Sequence, residues 1–307
     1  MYKNYDKIYK NVSSNKCDEY TRKTLKEQIL NSYFFINVYD IGKSVLNRPI
    51  ECFKISNKPD TVFMCGGVHG MEWITSSLLY LFIINIGDAI INQKYYFNKK
   101  ILECLSKKSI AIVPCVNPDG VEISIHGSNS AKHFKEFVES ISQGNTNDWQ
   151  SNAYGVDINH NFNAGWEQVK KMELSLGIEK PEKTRYGGTA PENQPETIAL
   201  TKFCRKTKLH TAIAFHSQGE EIYWNYGNNT PPESIDMAKN MSILSGYNIG
   251  FPEEIATGGG FKDWVIEELK IPAFTIEIGK GKNPLDISQL IPIYSKIEDM
   301  MLYMCQM

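Results

Sequence analysis

A chain of 307 residues that is 42% apolar and 22% charged can bury a sizeable core, as one large domain or two small ones. A formal net charge of −2 argues against a general nucleic-acid binder, which needs a basic excess on one face. The seven cysteines are odd in number, scattered and free of any C-x-x-C pair, so they indicate neither a disulfide framework nor a cysteine zinc site; most read as small buried hydrophobes in a reducing compartment.

The opening stretch, MYKNYDKIYKNVSSNK, is polar and lacks the apolar core of a signal peptide. Residues 1–17 therefore read as an N-terminal extension of the main domain, 18–307, with no pro-segment and the cytoplasm as the expected compartment. Asp18 to Tyr33 places Tyr20, Leu25, Ile29 and Leu30 at helical spacing, and Phe34 to Tyr39 is rich in strand formers. The runs around Asn47 predict a β-hairpin whose second strand, Ile50 to Ile55, lies at an edge of a sheet. Thr61 to Trp73, TVFMCGGVHGMEW, carries a β-favouring run into two glycines and a helix start, setting His69 and Glu72 three residues apart. Such a pair at a turn can aim at one point, as zinc requires; the alternative is a hydrogen-bonded loop histidine beside a first-turn acid favoured by the helix dipole. Leu78 to Ile91 is interrupted by Asn85 and Asp88 and is shorter than the ~20 residues of a membrane span, so it reads as a buried helix with no membrane partner.

Ser109 to Val116 is a buried strand that ends at the turn Asn117 to Gly120, NPDG. Glu122 to Gln150 turns polar and predicts a surface excursion with one short helix near Lys132 to Ile141, where His126 and His133 are exposed and idle. Val156 to Trp166, VDINHNFNAGW, combines a short strand with a loop dense in hydrogen-bonding groups and aromatics; it faces a ligand or is an asparagine-rich turn capped by its own side chains. Thr184 to Glu196 is a long loop, and Pro195 to Arg205 a helix with proline in its first turn. Leu209 to Phe215 is a buried strand running into His216, at a strand carboxyl end where ligand sites gather in open α/β sheets. A helix follows at Ile235 to Leu244, then a TGGG joint at Thr257 to Gly260 without the lysine and Ser/Thr of a P-loop, then a helix at Lys262 to Leu269. Ala273 to Gly279 is a strand with one acid, Glu277, among Phe and Ile. A lone buried carboxylate costs on the order of several kcal/mol, so Glu277 is either salt-bridged or functional, and a nearby metal favours function. Ile291 to Met304 closes the domain as an amphipathic helix. The expected architecture is a single α/β domain: a mixed twisted sheet of about eight strands, helices on both faces, and the site at strand carboxyl ends.

Together, His69 with Glu72, NPDG, VDINHNF, the distant His216 and TIEIG with Glu277 resemble the zinc carboxypeptidase family, from about Asp18 to the end. Within it, HSQGEEIYW, GGGFKDW and EIGKGKNPL look most like bacterial enzymes that cut the γ-D-glutamyl to diaminopimelate bond of cell-wall peptides. The resemblance implies zinc held by His69, Glu72 and His216 with an open fourth position, and Glu277 as the general base that passes a proton to the leaving amine. The family's Asn-Arg grip on a terminal carboxylate falls on Asn159 and His160, so bidentate clamping is lost and His160 binds only when protonated or through a neutral N–H. The arginine that the family places after a tryptophan, against the oxyanion, is Gln150 after Trp149, a neutral donor. On a gap-free count the family's lid tyrosine falls on Ile255. Lys262 falls at the base of the side-chain pocket, where a cation suits a substrate side chain ending in a carboxylate; the alternative is a solvated residue at a helix start beside Asp263.

The resulting expectation is a zinc metallopeptidase acting on a peptide or murein peptide next to a carboxylate-bearing residue. An ordinary metallocarboxypeptidase for acidic C-terminal residues, or a zinc amidase or deacylase of small acylated amino acids, shares the same ligands. A non-catalytic peptide-binding module is disfavoured, because it has no need of a buried general base at Glu277.

Overall fold

In the computed structural model, which describes residues 2–96, 99–100, 103 and 107–306, eight strands form one mixed sheet. They are β1 (Ile36–Lys43), β2 (Pro49–Ile55), β3 (Thr61–Cys65), β4 (Ser109–Val113), β5 (Leu209–His216), β6 (Glu221–Tyr223), β7 (Asn248–Ile249) and β8 (Ala273–Glu277), in the spatial order β1-β2-β4-β3-β5-β8-β6-β7. The four central strands, β4, β3, β5 and β8, run parallel, and antiparallel pairings flank them. A separate two-stranded ribbon pairs Tyr95–Tyr96 with Lys99–Lys100.

The main helices are α1 (Tyr2–Ser14), α2 (Glu19–Ser32), α3 (Trp73–Ile91), α4 (Pro118–His126), α5 (Lys135–Ser142), α6 (Trp166–Ser175), α7 (Pro195–Lys206), α8 (Ser234–Ser245), α9 (Phe261–Trp264, continued by a π turn over Val265–Leu269) and α10 (Leu290–Met304). Because strand side chains alternate between faces, the sheet carries two cores. On one face Val62, Met64, Ile213, Phe215, Phe274 and Ile276 pack with the apolar sides of α1, α2, α3, α8 and α10. On the other, Phe63, Cys65, Ala212 and Ala214 pack under α7 and α9. The helix α3 is long and apolar enough to cross a membrane, yet it is buried in the first of these cores. The opening residues form α1, whose Ile8 and Val12 are buried in the same core.

Several expectations are corrected by packing. The sheet edge is β1, not β2: β1 exposes Asn37, Tyr39 and Asp40, whereas β2 buries Ile50, Cys52, Phe53 and Ile55 between two neighbours. In α2, Leu25 and Ile29 are buried but Tyr20 and Leu30 face solvent. NPDG is more than a turn, since Asn117 caps α4 and Pro118 occupies its first position. Val156 begins no strand; Asp157 caps a 3-10 turn over Ile158–His160 instead. His126 is not idle, because its Nε2 lies 3.0 Å from Asp18 Oδ2 and ties α4 to the cap of α2, while His133 is exposed against the Phe134 ring. The six described cysteines are buried, and Cys104 lies outside the described residues.

Candidate active site

Three of the parallel strands deliver the site. His69 follows β3, His216 ends β5 and Glu277 ends β8, where the parallel register sets Glu277 directly opposite His216. The turn after β3 is clamped from below. Asn117 Nδ2 donates to the carbonyls of Val68 (3.1 Å), Gln150 (3.2 Å) and Ser151 (3.1 Å), and its Oδ1 accepts from Gly120 N–H. Gly70 and Gly120 make that approach possible, since a Cβ on Gly70 would fall 2.3 Å from the Gly120 carbonyl oxygen.

His69 Nδ1 lies 2.9 Å from Glu72 Oε1, His216 Nδ1 lies 3.0 Å from Glu72 Oε2, and the two Nδ1 atoms are 3.3 Å apart. Behind His69, Asp157 Oδ1 is 3.2 Å from Nε2, which places a proton on Nε2 and leaves Nδ1 as a lone pair. The cluster is thus a convergence of acceptors that only a cation or shared protons can hold together. Burial opposes charging His69, but the Glu72 and Asp157 carboxylates outweigh it and raise its pKa well above the usual histidine value. Burial also disfavours the Glu72 carboxylate, yet His69 and His216 bring its pKa down to about 2. Zinc fits the same donors. Tetrahedral Zn–N bonds of about 2.0–2.1 Å put two ligand nitrogens about 3.3 Å apart, the spacing observed here.

The cluster opens into a cavity of about 200 Å³ that is also lined by Gln150, Asn159, His160, Lys262 and Glu277. All the residues singled out from the sequence are therefore brought together, except Ile255, which sits in a 3-10 turn beside the cavity while Ala256 lines it. Glu277 has no hydrogen-bond or ion-pair partner among the described residues, which removes the salt-bridge alternative. Burial, and then the Glu72 and Glu221 carboxylates, raise its pKa well above the usual glutamate value. A divalent cation at the cluster opposes that field.

The other residues differ from expectation in their partners. The Gln150 Oε1 accepts from the Thr184 hydroxyl, which leaves its NH2 as a donor. Asn159 Oδ1 accepts from Phe261 N–H at 3.1 Å, so Asn159 also seats the start of α9. His160 is backed by a carboxylate, with its Nδ1 3.2 Å from Glu173 Oε1; the fully buried Glu173 also takes Lys170 Nζ at 2.9 Å. Lys262 is buried at the cavity wall, and its ammonium is not a lone cation: it pairs with Asp263 and donates to the Asn225 carbonyl at 2.8 Å. Asp157, Glu173, Asp263, Tyr223 and Arg185 belong to this site and were missed. Two had a signal: Asp157 lies two residues before Asn159 in a loop read as facing a ligand or capping itself, and Asp263 directly follows Lys262.

The zinc carboxypeptidase family model matches residues 27–299. The chain belongs to that family. It is a zinc metallopeptidase, and His69, Glu72 and His216 are the group of described residues able to hold the ion. Among relatives of this zinc carboxypeptidase, the γ-D-glutamyl-L-diamino acid endopeptidase 1 of Lysinibacillus sphaericus is 35% identical over 273 residues, covering 88% of this chain and 67% of that protein. The bovine thrombin-activatable fibrinolysis inhibitor shares the fold with a TM-score of 0.72 at 20% identity, over 95% of this chain and 97% of the other. The murein-tripeptide amidase of Escherichia coli O157 aligns with a TM-score of 0.53 at 17% identity, over 88% and 92% of the two chains.

Proposed function

We propose that this zinc carboxypeptidase hydrolyses the amide bond between a γ-linked D-glutamyl residue and a diamino acid in cell-wall peptides. One observation carries the reading: the buried Lys262–Asp263 pair lines the same cavity as Glu277 and the His69–Glu72–His216 cluster. A lone cation would select a side-chain carboxylate, and a lone anion an amine. A cation beside an anion matches an amino-acid head that carries both charges, as the far end of diaminopimelate does. The 35% identity to the Lysinibacillus sphaericus endopeptidase supports the same substrate class.

Zinc bound at the cluster would supply Lewis acidity and a water of lowered pKa. Glu277 is placed to take the proton of a water whose oxygen bonds to the scissile carbonyl carbon and to return it to the amine nitrogen as the C–N bond breaks, leaving a carboxylic acid and a free amine. The Gln150 NH2 faces the developing negative charge on the carbonyl oxygen. Asn159 and His160 bind a substrate carboxylate, and Glu173 orients the imidazole through its Nδ1 at 3.2 Å.

The test is incubation of the zinc-loaded protein with L-Ala-γ-D-Glu-meso-diaminopimelate and with α-linked peptides ending in glutamate, products being read by mass spectrometry. Release of diaminopimelate is expected. Trimming of the α-linked peptides alone would make the protein an ordinary carboxypeptidase.

A further inference from the structure

Three basic side chains besides the metal cluster line the cavity among the described residues: His160, Lys262 and Arg185. Two are already engaged at close range, Lys262 with Asp263 and His160 with Glu173. Arg185 is different. The one carboxylate within 4 Å of its guanidinium among the described residues is Glu253, at 3.9 Å, and both side chains are exposed, 47% and 81%. So exposed and so long a pair is weak, and a ligand carboxylate can displace it.

The backbone of Arg185 is held firmly where its side chain is not. Its N–H donates to Asp157 Oδ2 at 3.0 Å, and the other oxygen of Asp157 faces His69 Nε2. Its neighbour Tyr186 accepts from Asp157 N–H at 2.8 Å. Arg185 also sits at φ +64°, a left-handed conformation that disfavours a side chain. A strained arginine, tied through one carboxylate to a metal-cluster histidine and reaching the loop of Pro252 at the cavity rim, is placed to present a forked cation to whatever enters.

We propose that Arg185 recognises the free α-carboxylate of the γ-linked glutamyl residue on the acyl side of the scissile bond. This rests on the γ-glutamyl reading above. In that linkage the side-chain carboxyl forms the amide, so the α-carboxylate remains ionised across Cα, Cβ and Cγ from the carbonyl under attack. An α-linked residue has spent that group in the bond itself. A guanidinium takes a carboxylate through two parallel N–H···O bonds, so Arg185 selects the linkage from the acyl side while Lys262 and Asp263 read the diamino acid on the other.

The experiment compares L-Ala-γ-D-Glu-meso-diaminopimelate with the analogue whose glutamyl α-carboxylate is a carboxamide. Two readouts are taken, kcat/KM of the zinc-loaded protein and calorimetric Kd in a Glu277→Gln background, each with Arg185, Arg185→Gln and Arg185→Lys. The acid peptide is expected to be preferred about 10-fold or more with Arg185. Arg185→Gln abolishes the preference by weakening the acid peptide alone, and Arg185→Lys keeps part of it. Cleavage of the acid peptide with its preference intact in Arg185→Gln overturns the role of Arg185 and leaves the hydrolase reading standing. A γ-glutamyl peptide that is neither cleaved nor bound overturns both.

Discussion

Asp157 stands behind His69 with its Oδ1 3.2 Å from the ring Nε2, and the same carboxylate accepts the backbone N–H groups of Asn159 (3.1 Å) and Arg185 (3.0 Å). Burial works against its charge, but His69 and these donors hold its pKa well below the usual carboxylate range. This carboxylate thus sets the tautomer of a metal-cluster histidine and positions two loops that line the cavity.

Replacing Asp157 with asparagine removes the charge but keeps a similar shape. Zinc affinity should fall about 10- to 100-fold, the usual effect of losing such an outer partner. Competition with a chelator measures it, with His216→Ala marking the empty-site limit. An Asp157→Asn protein that binds zinc as tightly as the parent would leave Asp157 a purely structural residue.

Glu277 has no partner among the described residues, so Glu277→Gln should leave both fold and zinc content unchanged. Turnover should drop by at least ~100-fold, the low end of what a positioned acid-base group contributes. Elemental analysis and steady-state kinetics on one preparation decide the matter. Near-normal turnover with full zinc would remove Glu277 from the proton path.

How much of this was legible in the chain depended on range. His69, His216 and Glu277 stood out because each follows a short apolar strand, and strand periodicity is local information. Strands β6 and β7, three and two residues long, are too short to show a period. In α1 the i, i+4 pair Ile8 and Val12 was present but submerged in polar neighbours. Asp157 and Glu173 acquire their roles only when separate segments, a loop and the helix α6, are folded against His69 and His160, and no spacing rule joins them to either histidine. Arg185 depends further on a backbone conformation that nothing in TRYGG dictates. For Lys262 the partner was adjacent in sequence, yet the local pattern could not tell a solvated pair from a buried one.

That last difference changes the experiment on the side-chain pocket. Lys262→Met alone strands Asp263, which is 2% exposed, without its cation and should cost about 3–5 kcal/mol of stability. The cleaner variant is Lys262→Met with Asp263→Asn, which removes both charges and keeps an oxygen for Gly258 N–H, now 2.7 Å from Asp263 Oδ2. It should fold and yet lose discrimination between diaminopimelate and lysine as leaving residues by about 30-fold or more. Specificity constants for the two substrates provide the ratio. If the double variant discriminates as the parent does, the pair is a structural element of the α9 start.

A buried carboxyl remote from the metal cluster should also contribute to how stability varies with pH. Glu196, in the first turn of α7, is fully buried; its Oε1 accepts from Val45 N–H and its Oε2 from Asn152 Nδ2, each at 3.1 Å. Nearby Asp119 pairs with Arg48 Nη1 at 2.7 Å. Burial first, and then the charge of Asp119, push the pKa of Glu196 up from 4.5 to about 7. Because the folded state holds this proton more tightly than the unfolded chain, its contribution is fully present below pH 4.5. It is lost progressively as pH rises to about 7 and stays lost above that. At 1.36 kcal/mol per pKa unit the loss is about 3 kcal/mol. Glu196→Gln has no proton to lose, so its stability relative to the parent should increase by up to that amount between pH 4.5 and 8. Denaturant midpoints for both proteins across this range, at one saturating zinc concentration, give the difference. A difference that does not change with pH would show that Glu196 ionises in the folded protein as it does in the open chain.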